Sequence, residues 1–187
     1  EVIAELSQQS GWTAREILAT VCVLYNNETD LFSNEHIRMA FDLAIDRTAV
    51  TKAAGAENRA ATGLVPHGIP DAGETEDDFR TTGGTLCAID EESLGERQDK
   101  AREELTFAGY YSNAMFPPIE LLYVSGTEND AVAALLQQTW SSVLSVNVML
   151  HGVTQAEYES RMEEGNYELA LKKVTALYDD AMSFLDR

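Results

Sequence analysis

Residues 31–50 read LFSNEHIRMAFDLAIDRTAV. Within them Ile37, Ala40, Phe41, Ala44 and Ile45 recur at the i, i+3, i+4, i+7, i+8 spacing of an amphipathic helix and make one complete apolar stripe. Ser33 or Asn34 offers an oxygen to the first free amides, and Gly55 supplies a stop, so the spacing predicts one helix over 35–54. Arg38, Asp42 and Asp46 fall on its other side. Two carboxylates four residues apart beside Arg47 raise the question of an acid/base pair. Such a pair needs desolvation to separate its pKa values, and a polar helix face does not provide it. The aspartates are therefore read as the wet side of the helix, with Arg38 and Asp42 as a weak i, i+4 ion pair.

Outward from this helix the chain alternates. TVCVLYN (20–26) is β-branched and apolar and reads as a buried strand before it. After it, residues 56–94 form a long irregular stretch with Pro66, Pro70, several glycines and the acidic run ETEDD. So much loop is expected to wrap over another surface. A helix over 96–108 closes at Gly109, and a strand over 119–124 follows Pro117 and Pro118. A helix over 128–143 carries Val132, Leu135, Leu136, Thr139 and Val143 on one face, with Trp140 at the edge. A strand over 146–151, a helix capped by Thr154 through Glu163, a strand over 167–174 and a terminal helix in AMSFLDR complete the order. Alternation of this kind implies an α/β domain: a mixed, mostly parallel sheet flanked by helices, and a single domain over 1–187.

Composition sets limits. With 32 acidic and 13 basic residues the net charge is −19, a field that opposes a phosphate backbone, so no nucleic-acid partner is expected. No apolar run is long enough to span a bilayer. Cys22 and Cys87 form no CxxC pair; Cys22 lies in an apolar run, and a bond between the two is left open. His36, His67 and His151 lack metal-ligand spacing and are read as surface or structural, so no metal and no cofactor are expected. His67 sits in the long loop. Asn27-Glu28-Thr29 fits a glycosylation sequon. The start at Glu1, without an initiator Met, reads as a trimmed chain.

The same stretch resembles the signature of family 5 extracellular solute-binding proteins, in Leu31-Phe32, Ile37-Arg38-Met39-Ala40 and Ala44-Ile45-Asp46-Arg47. CVLYNN, ATGLVPHGIP, AREELTFAGY, LLQQTWSSVLSVNVML and GNYELALKKVTALYDDAMSFL resemble further segments of that family in the same order, over about residues 20–187, while residues 1–18 match poorly. The resemblance implies one lobe of a two-lobe, periplasmic-binding-protein-like (type II) fold, the first lobe being absent. It implies a bacterial, extracytoplasmic receptor, periplasmic or anchored to the cell surface as a lipoprotein. Such a receptor closes on a peptide or a similar small solute and delivers it to an ABC importer permease; it is not an enzyme.

By the same resemblance, KVTALYDDA (173–181) is the cleft-facing segment, with Val174, Thr175, Leu177, Tyr178 and Asp180 as ligand-binding residues. Three positions depart from the family pattern: Val174 stands for a tryptophan, Leu177 for the aspartate that pairs with a peptide amino terminus, and Ala181 for a proline. Lys172 and Lys173 add positive charge, suiting an acidic ligand or guarding a strand edge. Two other classes stay open at this point. One is a sensor or regulatory module built on the same lobe, distinguished by the sequence upstream of Glu1. The other is an acid-dependent hydrolase using Asp179 and Asp180, which are poorly disposed for joint work because neighbours on an extended chain face opposite ways.

Overall fold

A four-stranded sheet organises the computed structural model, which describes residues 17–55, 58–71, 77–111 and 116–186. The strands are β1 (Ala19–Tyr25), β2 (Ile119–Val124), β3 (Val148–Val153) and β4 (Leu169–Thr175), in spatial order β1-β4-β2-β3. β2 runs parallel to both β3 and β4, while β1 is antiparallel to β4, with Ala19 opposite Thr175 and Tyr25 opposite Leu169. The helices are α1 (Asp30–Ser33), α2 (Glu35–Leu43), α3 (Arg47–Ala54), α4 (Phe79–Gly83), α5 (Leu94–Phe107), α6 (Asn129–Leu144), α7 (Gln155–Glu163) and α8 (Met182–Leu185). The expected mixed, mostly parallel α/β architecture is the one observed.

Strand residues alternate between two faces, as period two requires. Ile119, Leu121, Val148, Leu169 and Leu171 point to the face covered by α2, α5 and α6, where Phe32, Phe41, Leu136 and Trp140 complete the larger core. Each large side chain buried here contributes about 1.5–3 kcal/mol. Leu122 and Ala170 point to the other face, against Tyr158 of α7. Further along that face Val174 packs with Val65 and Ile69 of the long loop and with Ala181 and Phe184 at the chain's end. The loop thus wraps over the sheet, as its length implied.

The helix expected over 35–54 is instead two helices. α2 ends at Leu43, and Asp46 takes extended backbone angles and caps α3, its Oδ1 accepting from Thr48 and Ala49 N–H at 3.0 Å each. A side-chain cap at Asp46 competes with continued helix, which is why aspartate favours helix starts. The break costs backbone bonds, and other elements repair it. The Phe41 carbonyl accepts from Trp140 Nε1 at 2.9 Å, Ala44 from Gln98 Nε2 at 3.3 Å and Ile45 from Arg97 at 3.3 Å. Trp140 is accordingly fully buried in the core, not at the edge of α6. Arg38 does not pair with Asp42; it donates to the Phe32 and Ser33 carbonyls at the end of α1, and Asp42 pairs with Arg47 at 2.5 Å. Asn34, one of the two cap candidates, accepts from His36 N–H. The stripe itself is as expected: Ile37, Ala40, Phe41, Ala44 and Ile45 are all buried. Trp140→Phe keeps most of the ring but strands a buried carbonyl, so urea denaturation should show a loss of about 1–3 kcal/mol. Asp46→Ala should cost about 1 kcal/mol by the same measurement, and Asp46→Asn much less.

Candidate functional site

Parallel sheets tend to bind ligands beyond the carboxyl ends of their strands. In this chain the carboxyl end of β4 meets the amino end of β1, and an open groove of about 280 Å³ lies there. Ile17 and Leu18 form one side of it and residues 175–179 the other. The β1–β4 ladder continues one step into it through Ala176 N–H to the Leu18 carbonyl, 2.9 Å. The wall beyond is a locked turn. Ser183 Oγ, almost fully buried, accepts from Leu177 N–H at 2.7 Å, and Asp180 Oδ1 accepts from Met182 N–H at 2.7 Å. This turn holds Leu177 and Tyr178 outward at 79% and 54% exposure, unusual for large apolar side chains and suited to contact with something else.

The expected site residues therefore separate. Thr175, Leu177 and Tyr178 line the groove together. Val174 does not face it: at 5% exposure it is part of the second core cluster, because alternation along β4 turns its side chain to the side opposite Thr175. Asp180 is exposed, but one of its oxygens is spent on the turn. Asp179 lines the groove in its stead, the one acidic residue there among the described residues. Ile17, Leu18 and Ala176 were missed as a set, and Asp179 was named but not placed among the ligand-binding residues. Ile17 and Leu18 join only because an antiparallel partner brings the start of β1 beside the end of β4. Lys173 lies 3.9 Å from Glu128, away from the groove lining.

The long loop backs the groove. Gly68, at φ +94°, stands against Leu18: a Cβ there would meet Leu18 Cδ2 at 3.0 Å. Asp78 braces this bend. It accepts from Gly68 N–H at 2.5 Å and Thr81 N–H at 3.0 Å and pairs with His67 Nδ1 at 3.0 Å. Partial desolvation pushes the Asp78 carboxyl up, but the hydrogen bonds from Gly68, Thr81 and His67 together outweigh it and hold the group below its usual range. His36 pairs with buried Glu104 at 2.6 Å and His151 with Glu120 at 2.8 Å, so each histidine braces its own neighbourhood. Among the described residues no group of three His, Cys, Asp or Glu side chains could hold a metal ion, and no helix is long and apolar enough to cross a membrane. Cys22 and Cys87 are free thiols; burial pushes the Cys22 thiol up.

The model of bacterial extracellular solute-binding proteins, family 5 (middle), matches residues 4–187, and the chain belongs to this family. Its members are extracellular or periplasmic binding proteins rather than enzymes. The dipeptide-binding protein DppE of Bacillus subtilis is 25% identical over 165 residues, covering 87% of this chain and 28% of DppE. Haemophilus influenzae OppA, in complex with the peptide RPPGFSPFR, superposes with TM-score 0.78 at 23% identity, over 91% of this chain and 32% of that one. Listeria monocytogenes OppA bound to peptide gives 0.80 at 19% identity, over 98% and 36%. The chain thus spans about a third of the length of such relatives.

The brace at Asp78 has a pH signature. Because the folded carboxyl titrates below its unfolded value near 3.8, its contribution is complete above that value and is lost as pH falls through the folded one. Asp78→Ala should lower stability by about 1 kcal/mol at pH 7, from loss of the α4 cap. The difference from wild type should shrink in denaturation curves taken at successively lower pH below about 4.

Proposed function

We propose that this chain is the ligand-binding lobe of an extracytoplasmic receptor that captures peptides between two lobes and delivers them to an ABC importer. The observation that carries this reading is the outward-held pair Leu177 and Tyr178 at a groove where Asp179 is the one acidic residue among those described. An apolar or aromatic side chain of the solute lies on Leu177 and Tyr178, and a cationic group, the peptide's amino terminus, reaches Asp179. The family match and the peptide complexes of similar fold support the solute class. Asp180, committed to its turn, gives little support to a hydrolase built on Asp179 and Asp180.

One lobe supplies half the contacts, so the lobe alone should show no micromolar binding. Calorimetry on the intact two-lobed protein with the tripeptide Ala-Phe-Ala should show binding. Asp179→Asn should weaken it about tenfold, the size of one charge-assisted hydrogen bond at a partly exposed site. N-acetylation of the tripeptide should weaken binding to wild type by a similar factor and leave the variant's affinity nearly unchanged. Equal affinity of wild type and variant for the free and acetylated peptides would refute the assignment of Asp179.

A further inference from the structure

The opposite pole of the sheet carries features that ligand binding does not use. Here β1 ends at Tyr25 and the chain turns through Asn26, Asn27 and Glu28 before α1. The two asparagines have different fates. Asn26 is fully engaged: its Nδ2 donates to the Gly165 and Tyr167 carbonyls at 3.0 and 2.9 Å, and its Oδ1 accepts from Glu28 N–H at 3.1 Å. Asn27 is exposed, and its carboxamide has no partner among the described residues. Asn27 opens the only Asn-x-Ser/Thr triplet in the chain, Asn27-Glu28-Thr29. Its side chain also borders an open cavity of about 350 Å³, walled by Tyr25, Tyr167, Glu28, Glu163 and Glu164. Its exposed lining is mostly polar, and the carboxylates there offer acceptors to the hydroxyl donors of a sugar ring.

We propose that Asn27 is a site of N-linked glycosylation, with the first sugar seated at this cavity. The co-reactant is a lipid-phosphate-linked oligosaccharide on the outer side of the membrane, presented by its transferase. Asn27 Nδ2 forms the new bond to the sugar's anomeric carbon as the bond from that carbon to the phosphate oxygen breaks. The lipid phosphate leaves with the electron pair, and one Nδ2 proton passes to a base of the transferase. The proposal rests on the extracytoplasmic location of the family and not on the identity of the solute. A seven-residue strand, about 20 Å at 3.3 Å per residue, separates this turn from the groove, so the glycan leaves the ligand's entrance open. In the folded chain the Thr29 hydroxyl donates to the Asn26 carbonyl and caps α1 by accepting from Phe32 N–H, so transfer precedes folding of this turn.

The test is mass spectrometry of the full-length protein isolated from the envelope of its own organism. Trypsin releases residues 16–38 as one peptide. That peptide should carry a glycan mass, with fragment ions placing it on Asn27. Asn27→Gln and Thr29→Asp should return it to the unmodified mass, and Thr29→Ser should keep the glycan. Thr29→Asp preserves an oxygen to cap α1, so its loss of glycan reports the triplet and not misfolding. A wild-type peptide found entirely at its unmodified mass, or a glycan retained in Thr29→Asp, overturns the proposal.

Discussion

One buried hydrogen bond, from the Trp140 indole to the Phe41 carbonyl, holds the end of α2 to α6. The bond exists because the helix breaks. A carbonyl inside a continuous helix has its own backbone partner; at the end of α2 that partner is lost, and the site is too deep for water. Trp140 supplies the missing donor and packs its ring on Phe41 at a centroid distance of 5.1 Å. Gln98 and Arg97 do the same for Ala44 and Ile45 from α5. Three neighbouring carbonyls are thus tied to two other helices, which sets the angle at which α3 departs.

The same logic of satisfied backbone runs to the groove. With one face of the sheet filled by α2, α5 and α6, the other must be covered by α7 and, beyond it, by loop 64–69 and α8. Val174 of β4 packs beneath this cover, which turns Thr175 to the opposite side. The turn that follows is pinned by Ser183 and Asp180, leaving Leu177 and Tyr178 in water. Their exposure follows from a turn whose backbone bonds are met by other side chains. A surface fixed in this way lowers the ordering cost of whatever binds to it.

Most of the fold was legible because its signals are local. The strand at 119–124 and the helix after Thr154 lie where alternation and capping chemistry placed them. The apolar stripe from Ile37 to Ile45 named its buried face correctly even though the helix was not continuous. The break was hidden because a helix pattern carries through Asp46 without a proline or glycine; only the depth of Trp140 and the reach of Gln98 and Arg97 make the interruption tolerable. The expected β3 ran two residues early, since VNV continues the apolar run before pairing begins at Val148. The groove was half legible. Thr175, Leu177 and Tyr178 could be named from the family segment, whereas Val174, Asp179, Ile17 and Leu18 depend on strand register and on pairing across more than 150 residues.

Hydrogen exchange of the Trp140 indole N–H, followed by nuclear magnetic resonance, tests the central constraint most directly. If the indole closes the α2 break from within the core, this proton should exchange only through global unfolding, as slowly as the amides of β2 and β4. Exchange at the rate of an exposed indole, with β2 and β4 still protected, would contradict it and leave the Phe41 carbonyl without its donor.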